Sequence, residues 1–205
     1  MEFTDSEAPQ FSGEDRIAFG VVQILKGLAE AYDLDTTDEN FRQTPARVAR
    51  AYKQIFGGLH NTEKQVEGIL SAAFPCKSTQ MIVQRNIRVY SMCPHHLLPV
   101  IYNVSVAYIP TPGGKVLGLS KLARITELLA RRPVLQEQFV EDVTEALMKL
   151  KGCEGAACYA EGQHFCMMMR GACQDDAVTI TSSLKGAFIK EDGTRSEFFD
   201  LARTK

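Results

Sequence analysis

The stretch Ser91-Met92-Cys93-Pro94-His95-His96 holds two of the chain's four histidines and one of its six cysteines within four residues. Cys93 and His96 stand three apart, so on a helical turn their side chains share a face, and a thiolate and an imidazole there can reach one metal ion. His95 is then expected to point elsewhere. Far downstream, Gln163-His164-Phe165-Cys166 supplies a third histidine and another cysteine spaced by two, which on a strand puts both on one face. Cys93, His96 and Cys166 together make a Cys₂His set, a ligand count zinc uses when a fourth position is left to water. With His95 and His164 beside the set, a closed four-ligand structural zinc also fits the spacing.

An open site has chemical content. Zinc with three protein ligands lowers the pKa of its water to roughly 7, and a neighbouring imidazole, of ordinary pKa about 6.5, can pass protons to and from a substrate. His95 and His164 are the candidates for that role; otherwise they support the ligands or fill the core. Arg47, Arg50, Lys121, Arg124 and Arg170 each fall near a helix start, a polar helix face or a Gly-containing turn. Ser120 marks an expected helix N-terminus, whose free N–H groups favour anions. Together they suit a polyphosphate, and singly they are ordinary solvated charges. Glu137, early in a helix, complements the dipole; it is also a carboxylate that can accept from the N1–H and 2-amino group of a guanine.

At 205 residues the chain suits one domain with a sizeable core, or one domain plus a helical arm. Its composition is 45% hydrophobic, yet no run approaches the ~20 apolar residues of a spanning helix. The acidic start MEFTDSEAPQ is unlike a signal peptide, so the expectation is a soluble, cytoplasmic protein with no membrane partner. A formal charge of -2 provides no global field for nucleic acid. Cys76, Cys153, Cys158 and Cys173 have no neighbour at metal spacing and read as small buried hydrophobes.

The elements that must position these groups follow from periodicity. Residues 1–11 read as a disordered tail. Ser12 with Asp15 resembles a capping box opening a helix to about Tyr32, with Ile17, Val21, Ile24, Leu25 and Leu28 as its apolar stripe. Thr44-Pro45 reads as N-cap and first position of a second helix, with Val48, Ala51, Tyr52 and Ile55 inward and Gly57-Gly58 as its stop. A third short helix covers Thr62 to Leu70. The pattern then changes to period two, with strands over Met81–Tyr90 and Val100–Tyr108. Two helices follow, one capped by Ser120 and burying Leu122, Ile125 and Leu129, the other burying Leu135, Phe139, Val143, Leu147 and Leu150. Strands over roughly 156–169 and 178–188 come next, and Thr194 caps a final helix. The expectation is α+β: a helical region over 12–75, then a domain over 76–205 with an antiparallel sheet and helices on one face. The other face and the sheet edges then need partners, so oligomerisation is expected.

With these motifs in order, Ser91-Met92-Cys93-x-His95-His96-Leu97, Leu117-Gly118-Leu119-Ser120-Lys121-x-x-Arg124, Arg132-Pro133-x-x-Gln136-Glu137 and His164-x-Cys166-Met167-x-x-Arg170-Gly171, the sequence closely resembles GTP cyclohydrolase I. The resemblance implies the tunnelling fold, whose sheets close into barrels on oligomerisation, as a homodecamer of two face-to-face pentamers. It implies Zn2+ on Cys93, His96 and Cys166, with His95 and His164 catalytic. Glu137, Gln136 and the backbone of Leu117 and Leu119 would hold the base, and Ser120, Lys121, Arg124 and Arg170 the ribose and triphosphate of GTP. Arg47 and Arg50 would reach the phosphates from a neighbouring subunit. The implied reaction is hydrolytic opening of the imidazole ring, release of formate, and rearrangement to 7,8-dihydroneopterin triphosphate.

Two departures stand out. The family usually has glutamate where Pro94 stands, and proline removes a carboxylate and a backbone donor and fixes φ. Gln174-Asp175-Asp176 is more acidic than the family's often basic segment. Two other readings therefore accompany the first: a divergent paralogue that stops at the ring-opened formamide or takes another purine nucleotide, and a non-catalytic nucleotide- or pterin-binding protein with a structural zinc.

Overall fold

A computed structural model describes residues 11–203, so the expected tail over 1–11 lies, Phe11 apart, outside the described residues. The chain divides after Ile55 into two compact units. In the first, α1 (Gly13–Tyr32) opens on the expected capping box, Ser12 and Asp15 each accepting from the other's backbone N–H. It packs on α2 (Thr44–Ile55). Thr44 is already helical rather than the cap, and Pro45 follows in the first turn, where its missing N–H leaves no helical bond unmade. The expected stripes are only partly covered: Ile24 is 63% exposed, and the buried residue of α2 is Ala49, not Ala51.

The second unit runs from Phe56, opening on a 3-10 turn (Gly57–Leu59) before α3 (Thr62–Ser71), so residues 56–75, grouped with the helical arm from sequence, cluster with the sheet. Four antiparallel strands follow the order β2 (Ile82–Met92), β3 (Pro99–Pro110), β5 (Cys153–His164) and β6 (Thr179–Gly186). A separate ribbon pairs β1 (Ala73–Pro75) with β4 (Lys115–Leu117). Strands of three residues are too short for alternation to announce them, and the sequence showed neither.

Alternation along β3 sends Val100, Tyr102, Val104, Val106 and Tyr108, all fully buried, to one face. There they meet Leu122, Ile125 and Leu129 of α4 (Leu119–Ala130) and Phe139, Val143 and Leu147 of α5 (Gln136–Met148). On β5 the same face carries Ala156, Cys158, Ala160 and Gly162. These small residues let α5 lie close to the strand. The opposite face is not bare: α7 (Ala187–Lys190) and α8 (Asp192–Ala202) cover part of it through Phe188 and Phe198, against Ala107, Ile109, Ala157 and Tyr159. Helices on one face therefore describes α4 and α5 but not the C-terminus.

The caps differ from expectation. Gly118, not Ser120, precedes α4, and Glu191, not Thr194, precedes α8; neither cap uses a side chain. Thr194 sits inside α8 and donates to the Glu191 carboxylate at 2.7 Å. Leu135 caps α5 and is exposed rather than buried. Among the remaining cysteines Cys158 is buried, Cys76 and Cys153 are half-buried and Cys173 is exposed. No helix among the described residues is long and apolar enough to cross a membrane.

Gly58 marks a close approach. Its N–H donates to the Arg131 carbonyl at 2.9 Å at the end of α4. A Cβ at this position would collide with the Leu128 carbonyl and lie 2.7 Å from that of Arg131. Both obstacles are backbone, so the chain itself must yield. Gly58→Ala is expected to destabilise the protein by about 1–3 kcal/mol, read by denaturant unfolding; unchanged stability would show that this junction is slack.

Candidate active site

The turn between β2 and β3 is built to present its side chains. The Leu97 N–H donates to the Cys93 carbonyl and the Cys93 N–H to the Leu98 carbonyl, both at 2.9 Å, closing one helical turn over Pro94, His95 and His96. Pro94 fits this turn because its fixed φ is helical and its absent N–H would have had no partner inside it. Leu97, at φ 52, ends the turn in the left-handed region. Cys93 is buried at the base while His95 and His96 are exposed. The Cys93 sulfur lies 3.7 Å from His96 Nδ1 and 3.9 Å from His95 Nδ1. His95 does not point elsewhere: the single turn brings both rings to the thiol.

The other half comes from β5. The strand ends at His164 rather than running to 169, and Cys166 lies in the short helix α6 (Phe165–Met168). His164 and Cys166 thus meet the turn from a strand end and a helix, not from one strand face. Val100 pairs with His164, which brings the end of β5 beside the turn that precedes β3. The ligand atoms of Cys93, His96 and Cys166 lie within 4.8 Å of one another. Donors around a tetrahedral zinc are roughly 3.3–3.8 Å apart, and the 3.7 Å between Cys93 Sγ and His96 Nδ1 already falls in that range. The Cys166 thiol is pushed up by burial and by the adjacent Cys93. Two soft sulfurs and an imidazole suit zinc and exclude the hard, oxygen-seeking Mg²⁺ and Ca²⁺.

Around this set lies a cavity of about 180 Å³ lined by Cys93, His95, Gln136, Glu137, His164 and Cys166, with Pro94 also on its wall. The His164 imidazole is held below its ordinary pKa by burial, against an opposing pull from Glu137. Tyr102, stacked on Phe139 with ring centroids 4.9 Å apart, presents an edge to His164 at 6.1 Å. Gln136 is buried, and its side chain is taken up by protein partners. Arg170 is exposed and its Nη1 donates to His96 Nε2 at 2.9 Å.

Leu117, Leu119, Ser120, Lys121 and Arg124 are not brought to this cavity within one chain. Leu117, whose N–H donates to the Tyr108 hydroxyl at 2.8 Å, lies at the far end of β3. Tyr108 is eight residues along that strand from Val100, about 27 Å at strand rise. Leu119, Ser120, Lys121 and Arg124 occupy the first turns of α4, whereas its other end leads to Arg132 and Val134 beside Ser91 and Met92. Twelve helical residues span about 18 Å. Arg47 and Arg50 are exposed on α2 in the first unit.

A family model described as GTP cyclohydrolase I matches residues 21–203. The chain belongs to the GTP cyclohydrolase I family. It is 39% identical over 190 residues to the GTP cyclohydrolase 1 of Corynebacterium glutamicum (strain R), covering 93% of each chain. It is 40% identical over 185 residues to that of Thermoanaerobacter pseudethanolicus, covering 90% of this chain and 96% of the relative. The Campylobacter curvus protein of the same name is 41% identical over 181 residues, covering 88% and 91%. Membership of the GTP cyclohydrolase I family makes the chain an enzyme, and the match spans both halves of the cavity.

Proposed function

We propose that the chain opens the imidazole ring of GTP by hydrolysis, releases formate and carries the product to 7,8-dihydroneopterin triphosphate with the help of zinc. The observation that carries this reading is that the Cys93, His96 and Cys166 donors cluster beside a cavity lined by Cys93, Cys166, His95, His164 and Glu137, in a chain of this family. Cys93, His96 and Cys166 would hold the zinc, which when bound acts as a Lewis acid and activates water near neutral pH.

The chain's own groups then have distinct tasks. Glu137 accepts from the N1–H and 2-amino group of the base and so orients the purine. His164, in its protonated imidazolium form, delivers a proton to N7, and His95 moves the proton needed for opening the ribose. If His96 holds the zinc through Nδ1, the ring nitrogen beside the Cys93 sulfur, its Nε2 would carry the ring proton and could not accept from Arg170, whose guanidinium would then be free to meet phosphate.

The pocket is completed between subunits. A cavity of about 180 Å³ is smaller than the ~300 Å³ at which ligand pockets begin, and Ser120, Lys121 and Arg124 lie at the wrong end of α4 to serve it. We assign the base-holding backbone of Leu117 and Leu119, those three side chains, and Arg47 and Arg50, to neighbouring copies. Strands β2 and β6 have free edges in the four-stranded sheet, and Tyr90 and Ile180 on them are exposed. Such edges support closure into the barrels of the tunnelling fold, as a homodecamer.

Zinc-loaded protein is expected to release formate from GTP and to yield a fluorescent pterin after oxidation; loaded protein that does neither contradicts the proposal. Pro94 on the cavity wall favours one other reading, a divergent paralogue, and mass spectrometry would reveal it as accumulation of the ring-opened formamide. For the shared pocket, His164→Ala and Lys121→Ala are each expected to be inactive. Co-expressed, they should recover roughly a quarter of wild-type turnover, the share of sites that random mixing of copies completes. No recovery in mixed oligomers would place both residues in one chain's site.

A further inference from the structure

We propose that Gln136 is a positioning residue that fixes the tautomer of His164, and that Gly162 is the seat that allows it. Gln136 is the first residue of α5 and is only 3% exposed. Its Nε2 donates to the Thr179 carbonyl at 2.9 Å and to the Ala160 carbonyl at 3.1 Å. Two carbonyls can be satisfied only by the amide's NH₂, so the other end of the amide must be its oxygen. That oxygen lies 2.8 Å from His164 Nε2. An amide oxygen only accepts, so Nε2 carries the ring proton, and in the neutral imidazole Nδ1 is bare. Flipping the amide would set oxygen against two carbonyls and lose both bonds, one buried and one half-buried.

The strand beneath makes room for this arrangement. Gly162 lies between Ala160 and His164 on the helix-covered face of β5. A Cβ at Gly162 would collide with Gln136 Oε1 and lie 2.9 Å from Gln136 Cδ and 3.0 Å from Tyr102 Cε1. Glycine weakens a strand interior, and its presence there fits a close approach that no other residue allows. Tyr102 walls the imidazole on another side. The ring is therefore held at one nitrogen and against one aromatic edge, and Nδ1 has no hydrogen-bond partner among the described residues.

The consequence is that Nδ1 is the nitrogen left to exchange a proton with a ligand. Gln136 acts through His164 and does not itself touch the base, unlike the role the family resemblance implies. The effect on turnover rests on the proposed GTP chemistry; the tautomer does not, so the two can fail separately.

The test is solid-state ¹⁵N NMR of zinc-loaded, ¹⁵N-histidine-labelled full-length protein at about pH 8, above the ordinary imidazole pKa of about 6.5, with His164 assigned by difference against His164→Asn. Wild type is expected to show Nε2 protonated and Nδ1 bare; a protonated Nδ1 overturns the proposal. Gln136→Leu is expected to abolish that preference, and Gly162→Ala, which keeps Gln136 but unseats it, to do the same. Both should lower kcat roughly tenfold to a hundredfold with KM for GTP nearly unchanged. A raised KM with the wild-type tautomer intact would instead make Gln136 a base-contacting residue and overturn the assignment. If Gln136→Leu does not fold, the wild-type spectrum and Gly162→Ala still decide.

Discussion

The register between β3 and β5 is the constraint on which the site depends. Because Val100 pairs with His164, the turn that precedes β3 and the end of β5 lie side by side at one end of the sheet. A slip of one residue would move every β3 side chain to the other face. Val100, Tyr102, Val104, Val106 and Tyr108 would then leave the core that α4 and α5 share. The cost of exposing five large apolar side chains holds the register, and the register holds Cys93 and His96 to Cys166. Core and chemistry are therefore set by one ladder.

The same ladder explains why α5 can contribute at its start. Ala156, Cys158, Ala160 and Gly162 form a low strip along β5, and α5 settles on it with Phe139 and Val143 in the core. Its first residue, Gln136, then reaches the carbonyls of Ala160 and Thr179, and the next, Glu137, reaches the cavity. A bulkier strip would lift the helix and lose both. Packing economy on the strand and placement of polar groups at the helix end are one feature.

Much of this was legible in the sequence, for physical reasons. Cys93 with His96 is a weak pair alone and gains weight from Cys166 with His164 downstream, and the structure brings the three donors together. The strands β2, β3, β5 and β6 showed through alternation, and α1, α4 and α5 through helical periodicity. Two kinds of feature stayed hidden. Caps supplied by backbone alone, at Gly118 and Glu191, leave no side-chain signature and drew attention wrongly to Ser120 and Thr194. Long-range placement stayed hidden too: nothing local in Leu117–Arg124 says that this segment sits at the far end of β3 from His164, or that Gly162 faces Gln136.

The central claim is that the turn and the end of β5 form one cation site with two sulfur donors. Zinc-edge X-ray absorption on the full-length protein reads that donor set directly. The account predicts two sulfur neighbours at about 2.3 Å with nitrogen or oxygen completing a four-coordinate shell. A shell of three or four sulfurs, or one with no sulfur, would contradict it.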